Sequence, residues 1–178
     1  NIFVFLISNS GGFKYRLILR GDSNNYASSG PATGEWIHLV VTGTPNSGDA
    51  ASTDLVLYEN GESKYTVTTA STAMGNAAGR AWTIGSEWDG TRGDYIDGKM
   101  TEIGMWDGEA LKADAVTAIY NSGNPLNLLH DNGDYDNSSA LIHYYRTNDS
   151  HTTTLLDSKG TVDGAITGAT FNTDTPDD

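Results

Sequence analysis

Two runs of strand-forming residues, Leu55–Glu59 and Ser63–Thr68, flank the dipeptide Asn60-Gly61. Both residues of that dipeptide tolerate positive φ, as the tight turn between right-handed twisted strands requires, so the segment reads as a β-hairpin. A second pattern agrees with it. Phe13, Tyr15, Leu17 and Leu19 alternate with Lys14, Arg16 and Arg20, which places one face on a core and the other in water, and Phe13–Arg20 is expected to be a strand. Trp36–Thr42 is apolar at nearly every position and β-branched, so it is expected to lie centrally in a sheet, covered on both sides. Ala81–Ile84 and Lys99–Trp106 read as further strands joined by the glycine-punctuated loop Gly85–Gly98.

Gly, Ser, Thr and Asn make up 71 of the 178 residues, whereas charged residues are only 19%. Such a chain is rich in turn formers and poor in residues that fill helices, which excludes a helical bundle. One segment breaks the strand rhythm. From Leu111 to Tyr120 the apolar residues Leu111, Ala115, Ala118 and Ile119 follow helical spacing, with Gly123 at the position of a C-terminal cap, so one short helix is expected near residues 111–121. Beyond an acidic turn at Asp131–Asp136, the segments Leu141–Tyr145, Thr152–Leu156 and Gly164–Phe171 are strand-like. Strand, turn and strand at this spacing predict an all-β, two-sheet antiparallel sandwich. The expected division is a single sandwich over residues 1–171, including a C-terminal strand extension at 140–171, followed by a flexible acidic tail at residues 172–178. A core of Trp36, Leu39, Val41, Leu57, Trp82 and Ile103 is expected.

The net charge of −13 argues against polyanionic partners, because phosphate contacts run through clustered cations, so nucleic acid and anionic lipid are excluded. The longest apolar runs, such as Ile2–Ile7, fall far short of the roughly 18–20 residues needed to span a bilayer. With no cysteine there is no disulfide frame, thiol nucleophile or thiolate zinc site. The chain begins at Asn1 and runs directly into a strand-like segment, which reads as part of a longer product whose earlier portion would hold another strand or a targeting signal.

Glycan hydrolysis on a sandwich needs two carboxylates about 5–10 Å apart on one strand face. The six Glu residues and their Asp neighbours form no such array, no Ser sits in a G-x-S-x-G elbow, and the Gly-rich loops lack the Lys and following helix of a phosphate cradle. His38, inside an apolar strand, reads as a buried, satisfied residue rather than a base, and His130, His143 and His151 are scattered. A protein without catalysis is therefore expected.

Asp-rich loops with Gly and Asn supply the hard oxygen ligands that calcium takes. Asp89, Asp94 and Asp97 crowd one loop, Asp157 and Asp163 bracket another, and Asp131, Asp134 and Asp136 form a third group whose order departs from a calcium loop. Asp94, Asp97, Asp157 and Asp163 are the preferred metal candidates, the alternative being Asp-Gly turns capped by their own carboxylates. Sugar binding uses an exposed aromatic face with planar polar groups beside it. The segment SEWDGTRGDY offers Trp88, Asp89, Arg92, Asp94 and Tyr95 as a ligand site, unless Trp88 seals the end of the sandwich or packs on a neighbouring subunit. Tyr144-Tyr145-Arg146 reads as packing. Asn137-Ser138-Ser139 and Asn148-Asp149-Ser150 are glycosylation sequons, relevant only in a eukaryotic secreted protein.

The ordered runs GEWIHLVVTGT, LVLYENGESKYTV, WTIGSEW and YIDGKMTEIGMWDGEALKADAVTAIYNSG resemble the concanavalin A-like, laminin-G-like sandwich family over roughly Gly34–Gly123. ALIHYYRTND and LLDSKGTVDGAITGATF are similar to the strand pair that usually opens these domains. Their position at the C-terminus resembles laminin-G-like proteins of tailed marine bacteriophage particles. The resemblance implies a two-sheet jelly roll used for carbohydrate binding, adhesion or particle architecture at an extracellular or virion surface, as a phage decoration, fibre or tail component. The implied partners are other particle subunits or copies of the chain, or a surface glycan. Where relatives bind calcium, an Asp in the strand matching YIDGKMTEIGMW is often a ligand; here that position is Thr101, beside Glu102, while Asp157 matches another family aspartate.

Overall fold

A computed structural model describes residues 3–8, 14–19, 26–29, 34–49, 52–69, 83–88, 92–93, 95–147 and 153–176. The described chain is all-β and antiparallel with one short helix, the class expected from the sequence. It divides into two compact units that interleave along the sequence.

The first unit comprises Asn1–Ile37, Val41–Leu57 and Ser63–Gly98. Its first sheet has the order β1 (Phe3–Ser8), β2 (Lys14–Leu19) and β3 (Tyr26–Ser29). β1 pairs antiparallel with β2, from Phe3 opposite Leu19 to Ser8 opposite Lys14, and β2 pairs antiparallel with β3. β3 has the sequence YASS, too short and too polar for alternation to reveal it. A second sheet, most of whose residues belong to this unit, has the order β4 (Leu39–Pro45), β5 (Thr53–Glu59) and β6 (Glu62–Thr69). β5 lies in its middle. Thr53, Leu55 and Leu57 alternate inward and are buried, so the period-2 rule holds where a strand has a neighbour on each side.

β4 departs from expectation. It starts at Leu39, leaving Trp36 outside the strand, and it is an outer strand of this sheet. Trp36, Leu39 and Val41 are accordingly only half-buried, whereas Leu57 is fully buried. The expected strand at Ala81–Ile84 is absent at residues 83 and 84, and Trp82 lies outside the described residues. The loop after it folds instead into a two-residue hairpin of β7 (Glu87–Trp88) and β8 (Arg92–Gly93).

The second unit comprises His38–Val40, Tyr58–Glu62 and Lys99–Asp178. It contains the Asn60-Gly61 turn, whose two residues both have positive φ, 51° and 82°, as the dipeptide predicts. β9 (Ile103–Trp106) is shorter than the Lys99–Trp106 run expected, because Glu102 sits at φ 53° and ends the extended backbone just before Ile103. β9 pairs with β10 (Leu141–Tyr145) through a bulge between Leu141 and His143, and β11 (Thr154–Leu155) pairs with β12 (Gly164–Ala165).

The helix α1 (Ala113–Tyr120) buries Ala115, Val116 and Ile119. Leu111, one residue before the N-cap Lys112, is also buried, so Leu111 and Val116 occupy the positions of a hydrophobic staple. Asn121, not Gly123, takes the left-handed capping conformation, which the short amide side chain of Asn tolerates. The core of this unit is Tyr58, Leu111, Ala115, Val116, Ile119, Leu128, Tyr135, Leu141, Tyr144 and Tyr145. Ile103 is only half-buried.

Candidate functional site

Three places carry polar chemistry. The first is the β7–β8 hairpin of the first unit. Pairing of Glu87 with Gly93 sets Trp88 opposite Arg92, so a ring-bearing residue and a planar cationic one share a register position. The backbone N–H of Ile96 donates to the carbonyl of Gly85 (2.8 Å), and the Thr83 hydroxyl donates to the carbonyl of Ser86 (2.7 Å), closing the base of the hairpin. Just beyond it Tyr95 is 68% exposed, and Ile84 and Ile96 are exposed as well. Of the five ligand candidates, Trp88, Arg92 and Tyr95 thus fall on one hairpin and its exit, while Asp89 and Asp94 lie outside the described residues. Asp97 is exposed.

The second place is the turn after β11, where the second unit buries a carboxylate. The side chain of Asp157 is fully buried. Its Oδ1 accepts from the backbone N–H groups of Tyr144 (3.0 Å), Lys159 (3.2 Å) and Gly160 (2.9 Å). Its Oδ2 accepts from Val162 N–H (3.3 Å) and lies 2.6 Å from His143 Nδ1. The Asp157 N–H in turn donates to Asp163 Oδ1 (2.9 Å), so these two metal candidates do come together. Burial works to raise the Asp157 pKa, but the donors from Gly160, Tyr144, His143 and Val162 outweigh it and hold the carboxyl far below its usual range.

That donor set does not suit calcium. Each Asp157 oxygen faces N–H dipoles whose positive ends point where a cation would have to sit, and calcium takes six to eight oxygen ligands. At the position where family likeness places a calcium Asp, the Thr101 hydroxyl accepts from Thr147 (2.8 Å). Neighbouring Glu102 accepts from the Tyr144 hydroxyl and from Arg146 Nε (3.2 Å), so a guanidinium already supplies the positive charge. Among the described residues no three acidic or histidine side chains group as metal ligands. Asp94 lies outside those residues, and Asp97 joins no such group.

Sequence reasoning missed the Glu102 cluster. Arg146 stands over the Tyr144 ring, 5.8 Å from its centroid, and burial followed by the Glu102 contact pushes the Tyr144 phenol up. The signal was weak: Tyr144-Tyr145-Arg146 read as packing, which it is, but nothing local paired it with a residue 44 positions away.

The third place surrounds the Asn60-Gly61 turn. Asn60 Oδ1 accepts from His38 N–H (3.0 Å), and Asn60 N–H donates to the His38 carbonyl (2.9 Å). The His38 ring stacks on Tyr120 at 5.8 Å, and its buried Nδ1 has no hydrogen-bond partner among the described residues. His38 was expected to be buried and satisfied; it is partly buried and unsatisfied at that nitrogen, and desolvation lowers its pKa to about 4. Asn60, Gly61, Glu62, Thr117, Ala118, Tyr120, Asn121 and Ser122 line an open cleft of about 530 Å³ here.

The acidic turn also differs from a solvated loop. Tyr135 within it is fully buried, its hydroxyl donating to the Leu128 carbonyl (2.9 Å) and accepting from Trp106 Nε1 (3.3 Å). Asn137 of the first sequon is 2% exposed, a placement that withholds its amide from a glycosyl donor. The second sequon lies outside the described residues.

A family model described as the concanavalin A-like lectin/glucanases superfamily, of the laminin G type, matches residues 1–117. Neither the curated proteins nor the solved structures hold a match to the chain.

Proposed function

The chain belongs to the concanavalin A-like lectin/glucanases superfamily, and from that premise we propose that it is a non-catalytic adhesive module of an extracellular assembly, which meets a surface polysaccharide through the β7–β8 hairpin. Laminin-G-like domains are generally binding modules. The observation that carries the reading is Tyr95, 68% exposed beside a hairpin that sets Trp88 opposite Arg92. An exposed ring covers the C–H face of a pyranose, and a guanidinium fork orients its hydroxyls. Asp157 and Glu102 support the absence of catalysis, because backbone donors occupy the first and a guanidinium and a phenol the second. No helix among the described residues is long and apolar enough to cross a membrane.

The assembly we favour is a tailed phage particle, with the chain as decoration, fibre or tail component. A strand segment beyond the residues that the family model matches supports it: β10 lies past residue 117 and pairs with β9 inside the match, and Tyr145 bridges to Asp157. A glycan array with the wild type, Trp88→Ala and Tyr95→Ala tests the contact surface. Binding lost in both variants is expected; binding that ignores them rejects the hairpin. Co-sedimentation with purified particles tests the assembly, and a chain that stays monomeric and binds none refutes it. Release of reducing ends from marine polysaccharides would overturn the non-catalytic reading.

A further inference from the structure

The chain holds two Asn-Gly dipeptides, and both sit between acidic residues: Glu59-Asn60-Gly61-Glu62 and Asp131-Asn132-Gly133-Asp134. Their local chemistry is nearly the same, but the structure sets them apart. At the first, the carboxamide oxygen of Asn60 accepts from His38 N–H (3.0 Å), the Asn60 N–H is held by the His38 carbonyl (2.9 Å), and the Gly61 carbonyl accepts from the Thr117 hydroxyl (3.0 Å). Gly61 is buried; a Cβ there would come within 3.1 Å of the Tyr120 ring. At the second, Asn132 and Gly133 are both exposed, nothing stands within 4 Å of where a Gly133 Cβ would be, and the Asn132 carboxamide has no hydrogen bond among the described residues.

We propose that Asn132 is a site of spontaneous deamidation, a chemical clock on the acidic turn, and that Asn60 is protected from the same reaction. The Gly133 amide nitrogen loses its proton and attacks Cγ of Asn132; the carboxamide nitrogen takes up a proton and leaves as ammonia, closing a succinimide. Water then opens the ring at one of its two carbonyls, giving aspartate or isoaspartate, with no oxidant or reductant involved. Glycine has no Cβ to obstruct ring closure, and an exposed, unpaired carboxamide is free to rotate towards the next nitrogen. At Asn60 the same rotation must first break the bond to His38 and displace a turn packed on α1.

The product matters to the fold. Asn132 N–H donates to the Tyr135 carbonyl (2.8 Å) and Tyr135 N–H to the Asn132 carbonyl (3.1 Å), a closed four-residue turn that delivers Tyr135 to the core. Isoaspartate lengthens the backbone inside that turn by one carbon, so both bonds cannot survive. Ageing therefore adds negative charge and loosens the seat of Tyr135.

The test is to incubate the folded chain in mildly alkaline buffer and follow both peptides by mass spectrometry, scoring isoaspartate with protein isoaspartyl methyltransferase. Conversion at Asn132 is expected to outrun that at Asn60 by at least about tenfold, since releasing Asn60 requires breaking native hydrogen bonds. In urea the two rates should converge, because only the fold distinguishes the sites. Equal rates in the folded chain, or faster conversion at Asn60, overturn the proposal, as does a folded-state difference that persists unchanged in urea. Asn132→Gln, whose longer side chain closes the ring poorly, should abolish the isoaspartate signal from this turn; a signal that persists there also overturns it.

Discussion

Replacing Asp157 separates a structural carboxylate from a metal ligand. Its side chain is fully buried and takes four backbone N–H groups plus His143 Nδ1. Asp157→Ala would leave those donors without a partner in a site water cannot readily fill. Hydrogen bonds to a charged group contribute about 1.5–3 kcal/mol each when removed singly, but five on one carboxylate do not add. Removing one partner of a buried charge cluster costs about 3–5 kcal/mol, and that is the expected loss. Asp157→Asn is expected to lose about 2 kcal/mol or more, because either amide orientation turns an NH₂ group towards N–H donors. Against a total stability of roughly 5–15 kcal/mol, the alanine variant should shift a urea midpoint by more than about 1 M. Since the folded carboxyl is held far below its unfolded value, its contribution is fully present above about pH 4 and is lost as the pH falls through that value towards the folded one. The steep acid limb of the wild type should therefore flatten in the asparagine variant. A loss below about 1 kcal/mol in Asp157→Ala would refute the reasoning. So would calcium that raises the wild-type midpoint and leaves the variant's unmoved.

His38 gives a second pH window: with its pKa lowered to about 4 from 6.5, the unfolded chain binds the extra proton between those values, so stability falls as the pH drops through them. From pH 7 to pH 5 the loss is about 2 kcal/mol, read as the difference in urea stability between wild type and His38→Gln; parallel curves would contradict it. Gly160→Ala should cost about 2 kcal/mol by overpacking, since its Cβ would meet the Ile142 carbonyl at 2.8 Å and His143 Nδ1 at 2.9 Å; a neutral result would show that the turn yields. Leu57→Ala, at a fully buried position, should cost about 2–5 kcal/mol, and half-buried Trp36→Ala less than about 3; a Trp36 variant that fails to fold would reverse that order.

What was legible in the sequence was local. The Asn60-Gly61 hairpin, a short helix near residues 111–121 and the β10 strand follow from turn chemistry and periodicity within a dozen residues. β3 leaves no sequence signature because YASS alternates nothing, and the run Lys99–Trp106 extends beyond β9 because only the backbone shows Glu102 turning out of the extended region. The apolar run Trp36–Thr42 points to a central strand with Trp36 in the core, but the exposure of a residue near an outer strand depends on what lies across from it.

The polar sites divide the same way. The sequence alone determined an all-β chain without cysteine, with acidic turns and an aromatic, Arg-bearing loop; that the loop folds into a hairpin is seen only in the structure. Tertiary structure decided which acids are surrounded by donors, since Asp157 draws on Tyr144 and His143 from β10, and Glu102 on residues more than 40 positions away. It also decided which of two nearly identical Asn-Gly turns is clamped. The physical reason is that hydrogen-bond supply and desolvation are set by neighbours in space, and a residue's own sequence context does not specify them.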